Sequence, residues 1–185
     1  MKICLLGDKC GKTSIVQKWI SPIKPIQKEN TIGIDMKTIT MCLDEKMVRV
    51  QMWDCSGEKY YANLLDEYIN NSHVIVICFD LTKSASFDTA KVWAERIQKM
   101  HKSTVVCMLA NKLDLESKRV VKDIHIKNFV NSMTIPHAFY TECSAFTGEN
   151  CKKSLYMIVR EGMRSDKVYT IDDFKIAKPI GCIVV

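Results

Sequence analysis

No stretch of this 185-residue sequence is apolar for longer than a strand. A membrane-spanning helix takes about 20 apolar residues, so none is expected. A secretory leader and any Cys-x-x-Cys pair are also missing. The nine cysteines are an odd number, and Cys4, Cys78 and Cys107 sit inside apolar runs, where a free thiol behaves as a small hydrophobe. These absences exclude a disulfide-stapled secreted domain and predict a reducing, cytosolic compartment. Clustered positive charge is lacking too. The net charge is +6, but the basic residues are spread along the chain, which reads as a solvated basic surface with no nucleic-acid partner. Neither an internal repeat nor an interdomain linker is present. With 47% apolar and 26% charged residues, the composition is that of one globular α/β domain with a sizeable core.

What is there is an alternation of strand-like and helix-like patterns, which predicts a mostly parallel sheet with helices on both faces. Ile3 to Leu6, Val74 to Phe79 and Thr104 to Ala110 are unbroken apolar runs, as expected of strands buried on both sides. Between residues 36 and 54 the period falls to two, with Ile39, Met41 and Leu43 and then Val48, Val50 and Met52 alternating with polar neighbours. A turn at Asp44-Glu45-Lys46 would make these an antiparallel edge hairpin. Helices are expected from about Lys12 to Ile20, after residue 84, from about Asp123 to Ser132, and around Cys151 to Val159. Ser21 to Asn30 reads as a loop. The expected fold is a single domain over 1–164 with a six-stranded, mostly parallel sheet and one antiparallel edge strand. A flexible tail would follow over 165–185.

Four short elements carry chemistry, and each follows a strand. The first is Gly7-Asp8-Lys9-Cys10-Gly11-Lys12-Thr13, with Ser14 behind it. Such a loop turns backbone N–H groups and a helix N-terminus toward phosphates. Lys12 would contact the β- and γ-phosphates, and the Thr13 hydroxyl would ligate Mg²⁺. Only three residues separate the two glycines where the motif has four. Alone, it is equally compatible with a Gly-rich strand-to-helix turn. The second is Trp53-Asp54-Cys55-Ser56-Gly57, where the Asp54 carboxylate would hold Mg²⁺-bound water and the Gly57 N–H would reach a γ-phosphate. A strand ending in an Asp/Gly turn has the same sequence. The third is Asn111-Lys112-Leu113-Asp114. One carboxylate, Asp114, can accept both the N1–H and the 2-amino group of guanine, a pair of donors that adenine does not offer. Asn111 would tie loops together and the Lys112 stem would cover the base. The fourth is Glu142-Cys143-Ser144-Ala145, with Phe146 after it, where backbone N–H groups would meet the guanine carbonyl oxygen. The order phosphate, Mg²⁺, base, base, at the carboxyl ends of strands, is what makes one crevice out of four weak signals.

With these elements in place the chain resembles Ras-superfamily GTPases, and the Rab branch in particular, from Lys2 to about Met163. Thr31-Ile32-Gly33-Ile34-Asp35 is similar to the first switch segment of Rabs. The resemblance implies that Thr31 binds Mg²⁺ and the γ-phosphate, that GTP and GDP are the ligands, and that GTP orders two switches which effectors read. It also implies an exchange factor and a GTPase-activating protein as partners of a monomeric switch. Met36, Trp53 and Tyr68 match the apolar positions that Rabs present to effectors; edge-sheet core is the other reading of the same three residues.

Departures from the family pattern shape the expected activity. Lys9 and Cys10 stand where the family has small residues, and a lysine there would add a phosphate contact or obstruct the attacking water. Glu58 stands where the family has the glutamine that orients that water. A carboxylate beside the γ-phosphate at partial burial costs about 1–4 kcal/mol, so slow hydrolysis is expected, with Glu58, Lys12 and Thr31 as the catalytic residues. Lys24 replaces the aromatic edge against guanine, while Phe146 replaces a lysine and would stack on the purine, worth about 1–3 kcal/mol. The alternative is a pseudo-GTPase that keeps the fold and the interaction surface but hydrolyses little or no nucleotide. Cys182-Ile183-Val184-Val185 has the form of a prenylation site. That places the expected protein on the cytoplasmic face of an endomembrane or the plasma membrane, in exchange with cytosol. A single prenyl chain binds membranes only marginally without a second signal.

Overall fold

The computed structural model describes residues 1–21, 33–56, 62–100 and 104–164. Six strands, β1 (Lys2–Leu6), β2 (Ile34–Leu43), β3 (Lys46–Cys55), β4 (Val74–Asp80), β5 (Val105–Asn111) and β6 (Ala138–Glu142), form one sheet in the order β2-β3-β1-β4-β5-β6. All neighbours are parallel except β2 and β3. This is the mostly parallel sheet with one antiparallel edge strand that the alternating pattern predicts, in the Ras-like form that the resemblance implies.

The central strands show why their sequences are apolar without a break. Along β1, Ile3 and Leu5 enter one core while Cys4 and Leu6 enter the other. β4 does the same, sending Val74, Val76 and Cys78 one way and Ile75, Ile77 and Phe79 the other. The first core is closed by α1 (Lys12–Ile20) and α5 (Cys151–Met163), through Ile15, Val16, Trp19, Leu155, Ile158 and Val159. The second is closed by α2 (Ala62–Asn70), α3 (Ser84–Met100) and α4 (Asp123–Ser132), through Leu65, Ile69, Phe87, Ala90, Ala94, Ile97, Ile126 and Val130. Each large side chain taken fully from water contributes roughly 1.5–3 kcal/mol, and a strand with both faces covered collects that on every residue.

α2 is not among the helices read from the sequence, although Leu65 and Ile69 are buried at a helical spacing of four. The hairpin turn also differs. Leu43 pairs with Lys46, so the loop is Asp44-Glu45 alone, both with positive φ (47° and 65°). Two left-handed residues match the right-handed twist of the flanking strands. Tyr156 and Arg160 of α5 reach Asp44, at 3.0 and 3.9 Å, which braces the hairpin against the helix.

β1 is the switch point of the sheet. It pairs with β3 on one side and β4 on the other, and in an open α/β sheet the loops at the carboxyl ends around that point face one crevice. Most of the loop expected over Ser21 to Asn30 and the expected tail over 165–185 lie outside the described residues.

Candidate functional site

The loop after β1 turns on three left-handed residues: Gly7 (φ 132°), Lys9 (φ 45°) and Gly11 (φ 88°). At Gly7 a Cβ would sit 2.2 Å from the Cys78 carbonyl oxygen, so the chain passes too close to β4 for any side chain. Lys9 is not a glycine, and holding it in this conformation costs on the order of 1–3 kcal/mol. The loop, one residue shorter than the usual motif, thus closes its turn on a left-handed lysine. Asp8 and Lys9 are exposed, whereas Cys10 is buried beneath them, and Ser14 is half-buried on the first turn of α1. Lys12 is buried, and its ammonium donates to the Gly7 carbonyl at 2.6 Å. The lysine therefore lies back across the whole loop, with its charge at the loop's mouth.

At the end of β3, Asp54 is 2% exposed and accepts a hydrogen bond from Thr13 Oγ1 at 2.5 Å on Oδ2. Its other oxygen, Oδ1, is buried with no hydrogen-bond partner among the described residues. Burial raises the Asp54 pKa, against the pull of the Thr13 hydroxyl and of Lys12. An orphaned carboxylate oxygen beside a threonine hydroxyl and under a phosphate-type loop is a donor set that fits a hard divalent cation such as Mg²⁺. Asp54 and Thr13 are the described residues that would hold it; bound there, the cation would neutralise phosphate charge. Thr31, also expected as a metal ligand, lies outside the described residues, as do Gly57, Glu58 and Lys24.

Asn111, 3% exposed at the end of β5, joins the phosphate-type loop to the base-type loop. Its Nδ2 donates to the Cys10 carbonyl at 2.8 Å, and its Oδ1 accepts the Ala145 N–H at 3.0 Å. At Gly11 a Cβ would lie 2.7 Å from that same Nδ2, so the second glycine leaves the space the lacing needs. Asp114 accepts from the Ser144 hydroxyl at 2.5 Å, and Ser144 in turn receives the Thr147 N–H at 3.0 Å and the Gly148 N–H at 2.8 Å. The turn after β6 is thereby fixed, with Ala145 buried and Phe146 standing 59% exposed at its rim. Arg119 ion-pairs Glu142 from the far side of the turn.

Lys112, whose stem is expected to cover a base, also has a partner for its ammonium. Its backbone is left-handed (φ 70°) and its ammonium binds Asp80 Oδ2 at 2.6 Å. Asp80 is fully buried, and Thr82 donates both its N–H (2.9 Å) and its hydroxyl (2.7 Å) to the other oxygen. Burial pushes the Asp80 carboxyl up, but Lys112 and Thr82 outweigh it and hold the pKa below the ordinary value. Sequence reading missed this residue because it stopped β4 at Phe79; the available signal was an acid closing an otherwise apolar strand.

Met36 and Trp53 face each other across the β2–β3 ladder, and the Trp53 ring meets Tyr68 of α2 edge-on, with centroids 5.0 Å apart at 88°. Trp53 and Tyr68 are half-buried against the second core, while Met36 is 54% exposed. The three make one continuous apolar surface at the sheet edge. A groove of about 430 Å³ between α3 and α4, floored by Phe87, Val121 and Phe129, includes none of the loop residues.

A phosphate-type loop, a cation-ready carboxylate and two laced base-type loops at the switch point of an open sheet define a P-loop nucleotide-binding domain. Residues 2–164 match the Ras family. GTP-binding protein YPT1 of Saccharomyces cerevisiae is 32% identical over 162 residues, covering 86% of this chain and 77% of that protein. Ras-related protein Rab-19 of Homo sapiens is 36% identical over 122 residues, 65% of this chain and 56% of that protein. Ras-related protein RABA4d of Arabidopsis thaliana is 30% identical over 176 residues, 93% of this chain and 78% of that protein. The chain belongs to the Ras family of small GTPases, and its relatives named here are of the Rab and Ypt kind.

Proposed function

We propose that the chain is a Rab-like switch that binds GTP and GDP with Mg²⁺, hydrolyses GTP slowly, and regulates vesicle trafficking through effectors. The observation that supports this best is the double hydrogen bond of Asn111, to Cys10 O and from Ala145 N–H. One side chain ties the phosphate-type loop to the base-type loop, the two loops that would hold the two ends of a single nucleotide. Asp114 would read the guanine edge and Phe146 would stack on its face. Lys12 and the loop N–H groups would hold the β- and γ-phosphates, and Thr13, Thr31 and Asp54 the metal.

Slow hydrolysis rests on Glu58, whose negative charge would face the γ-phosphate where a neutral amide serves better. A single-turnover assay tests it. Rates ordinary for the family, with a clear loss in Glu58→Ala, would reject the assignment. Met36, Trp53 and Tyr68 form the surface for effectors, and a prenylated Cys182 carries the protein to a cytoplasmic membrane face as a monomer. No helix among the described residues is long and apolar enough to cross a membrane, so attachment through a lipid is the route that the reading requires.

Chromatography of the nucleotide that co-elutes with the purified protein is the experiment for the reading as a whole. Retained GDP or GTP supports the switch. An empty site, with no thermal shift on adding GTP and Mg²⁺, would instead indicate a pseudo-GTPase acting as a scaffold.

A further inference from the structure

Asp80 carries a full charge in a place where an uncharged residue would satisfy the fold. It is 0% exposed, and burying a carboxylate is unfavourable unless a partner compensates it. The two bonds from Thr82 both fall on Oδ1, and the amide oxygen of an asparagine would accept them equally well. Among the described residues, the only ion pair made by Oδ2 is with the ammonium of Lys112, at 2.6 Å. The charge is therefore explained by Lys112 and not by the local turn.

Lys112 is an unusual lysine to hold. It lies between Asn111, which laces two loops, and Asp114, the base-reading carboxylate. Its backbone is left-handed, with φ 70°. Its main chain is fixed on both sides: Asn111 pairs with Asp80 in the β4–β5 ladder and gives its carbonyl to Leu81 N–H at 3.1 Å, while Leu113 N–H donates to Cys143 O at 3.2 Å. With the backbone anchored at one end and the ammonium at the other, the four-carbon stem loses the rotamer freedom that a solvent-exposed lysine keeps. A stem so held would serve as a fixed apolar wall for a base that Asp114 reads.

We infer that Asp80 is a positioning residue of the nucleotide site, clamping the Lys112 stem as one wall of the purine slot and so slowing nucleotide release. The inference rests on the guanine-nucleotide reading proposed above and adds a residue to it. It requires the two side chains to act as a unit, so their effects on nucleotide release must not add.

The test is GDP dissociation from the full chain, measured with wild type, Asp80→Asn, Lys112→Met and the double variant, with unfolding midpoints taken alongside. Asp80→Asn should release GDP on the order of tenfold faster, the size of a typical coupling between contacting groups. The double variant should match Lys112→Met within about twofold, and it should unfold at a higher temperature than Lys112→Met, because its buried carboxylate without a partner is gone. Lys112→Arg, which returns a cation to Asp80, should release GDP more slowly than Lys112→Met. Multiplying effects in the double variant, a wild-type release rate in Asp80→Asn, or equal rates for Lys112→Arg and Lys112→Met would each overturn the clamp. Any of these results leaves the nucleotide reading standing, whereas a wild-type protein that holds no GDP removes both.

Discussion

Replacing Asn111 by aspartate changes one side-chain nitrogen to oxygen, at the group that ties the phosphate-type loop to the base-type loop. Nδ2 now donates to Cys10 O at 2.8 Å inside a residue only 3% exposed. In Asn111→Asp that carbonyl would face a carboxylate oxygen, losing its donor. An orphaned buried acceptor costs about 1–3 kcal/mol, and desolvating the new charge adds to it. The expected loss is about 2–4 kcal/mol, or roughly 4–16 °C in unfolding temperature for a chain of this size. Asn111→Ala orphans both Cys10 O and the Ala145 N–H and should cost about as much. The pH dependence separates the two. Burial raises the pKa of the introduced acid, and its protonated form can donate to Cys10 O again. A group with a raised folded pKa stabilises below its unfolded value and loses that contribution as pH rises through the folded value. Asn111→Asp should therefore be less destabilised at pH 4.5 than at pH 7.5 relative to wild type, while Asn111→Ala shows no such recovery. Thermal unfolding of nucleotide-free protein at the two pH values measures this. A loss under about 0.5 kcal/mol, or the same deficit at both pH values, would refute the reasoning.

Gly11→Ala combines a φ of +88° with a Cβ 2.7 Å from Asn111 Nδ2. It should destabilise by about 2–3 kcal/mol in denaturant titration, and a neutral result would mean that the lacing has slack. Asp80 has a depressed pKa, so its charge stabilises the fold fully above about pH 3.9, the unfolded value, and that contribution is lost as pH falls through the lower folded value. Acid unfolding of Asp80→Asn should lack this part of the wild-type decline below about pH 4. Cys182→Ser should shift the protein from the detergent-rich to the aqueous phase in a partition assay after expression in a prenylating cell. Equal partitioning of both forms would count against lipid attachment.

The sequence made the helix limits at Lys12–Ile20 and Asp123–Ser132 legible, together with the alternation of the β2–β3 hairpin. These depend on local periodicity, which a single chain displays directly. β5 runs one residue past the expected end, to Asn111, because that residue continues the ladder opposite Asp80. Its polarity had suggested a loop. The four loops were identifiable by residue type and order. Their interlocking was not, since Asn111 meets Cys10 and Ala145, and Asp80 meets Lys112, across separations that no sequence window spans. The short first loop illustrates the same limit. The missing residue was countable, but the left-handed Lys9 and the 2.6 Å return of Lys12 to Gly7 O appear only in three dimensions. Half-burial of Trp53 and Tyr68 beside an exposed Met36 likewise required the β2–β3 register.

Base selectivity tests the central claim most directly, because it isolates the guanine-reading role proposed for Asp114 from phosphate affinity. Dissociation constants for GDP, ADP and xanthosine diphosphate should be measured with wild type and Asp114→Asn. The carboxylate would accept two donors from guanine; an amide both donates and accepts, which suits the 2-oxo group of xanthine. Wild type should bind GDP at least 100-fold tighter than ADP, and Asp114→Asn should weaken GDP while strengthening xanthosine diphosphate. Equal affinity of wild type for GDP and ADP, or an unchanged preference in Asp114→Asn, would contradict the account.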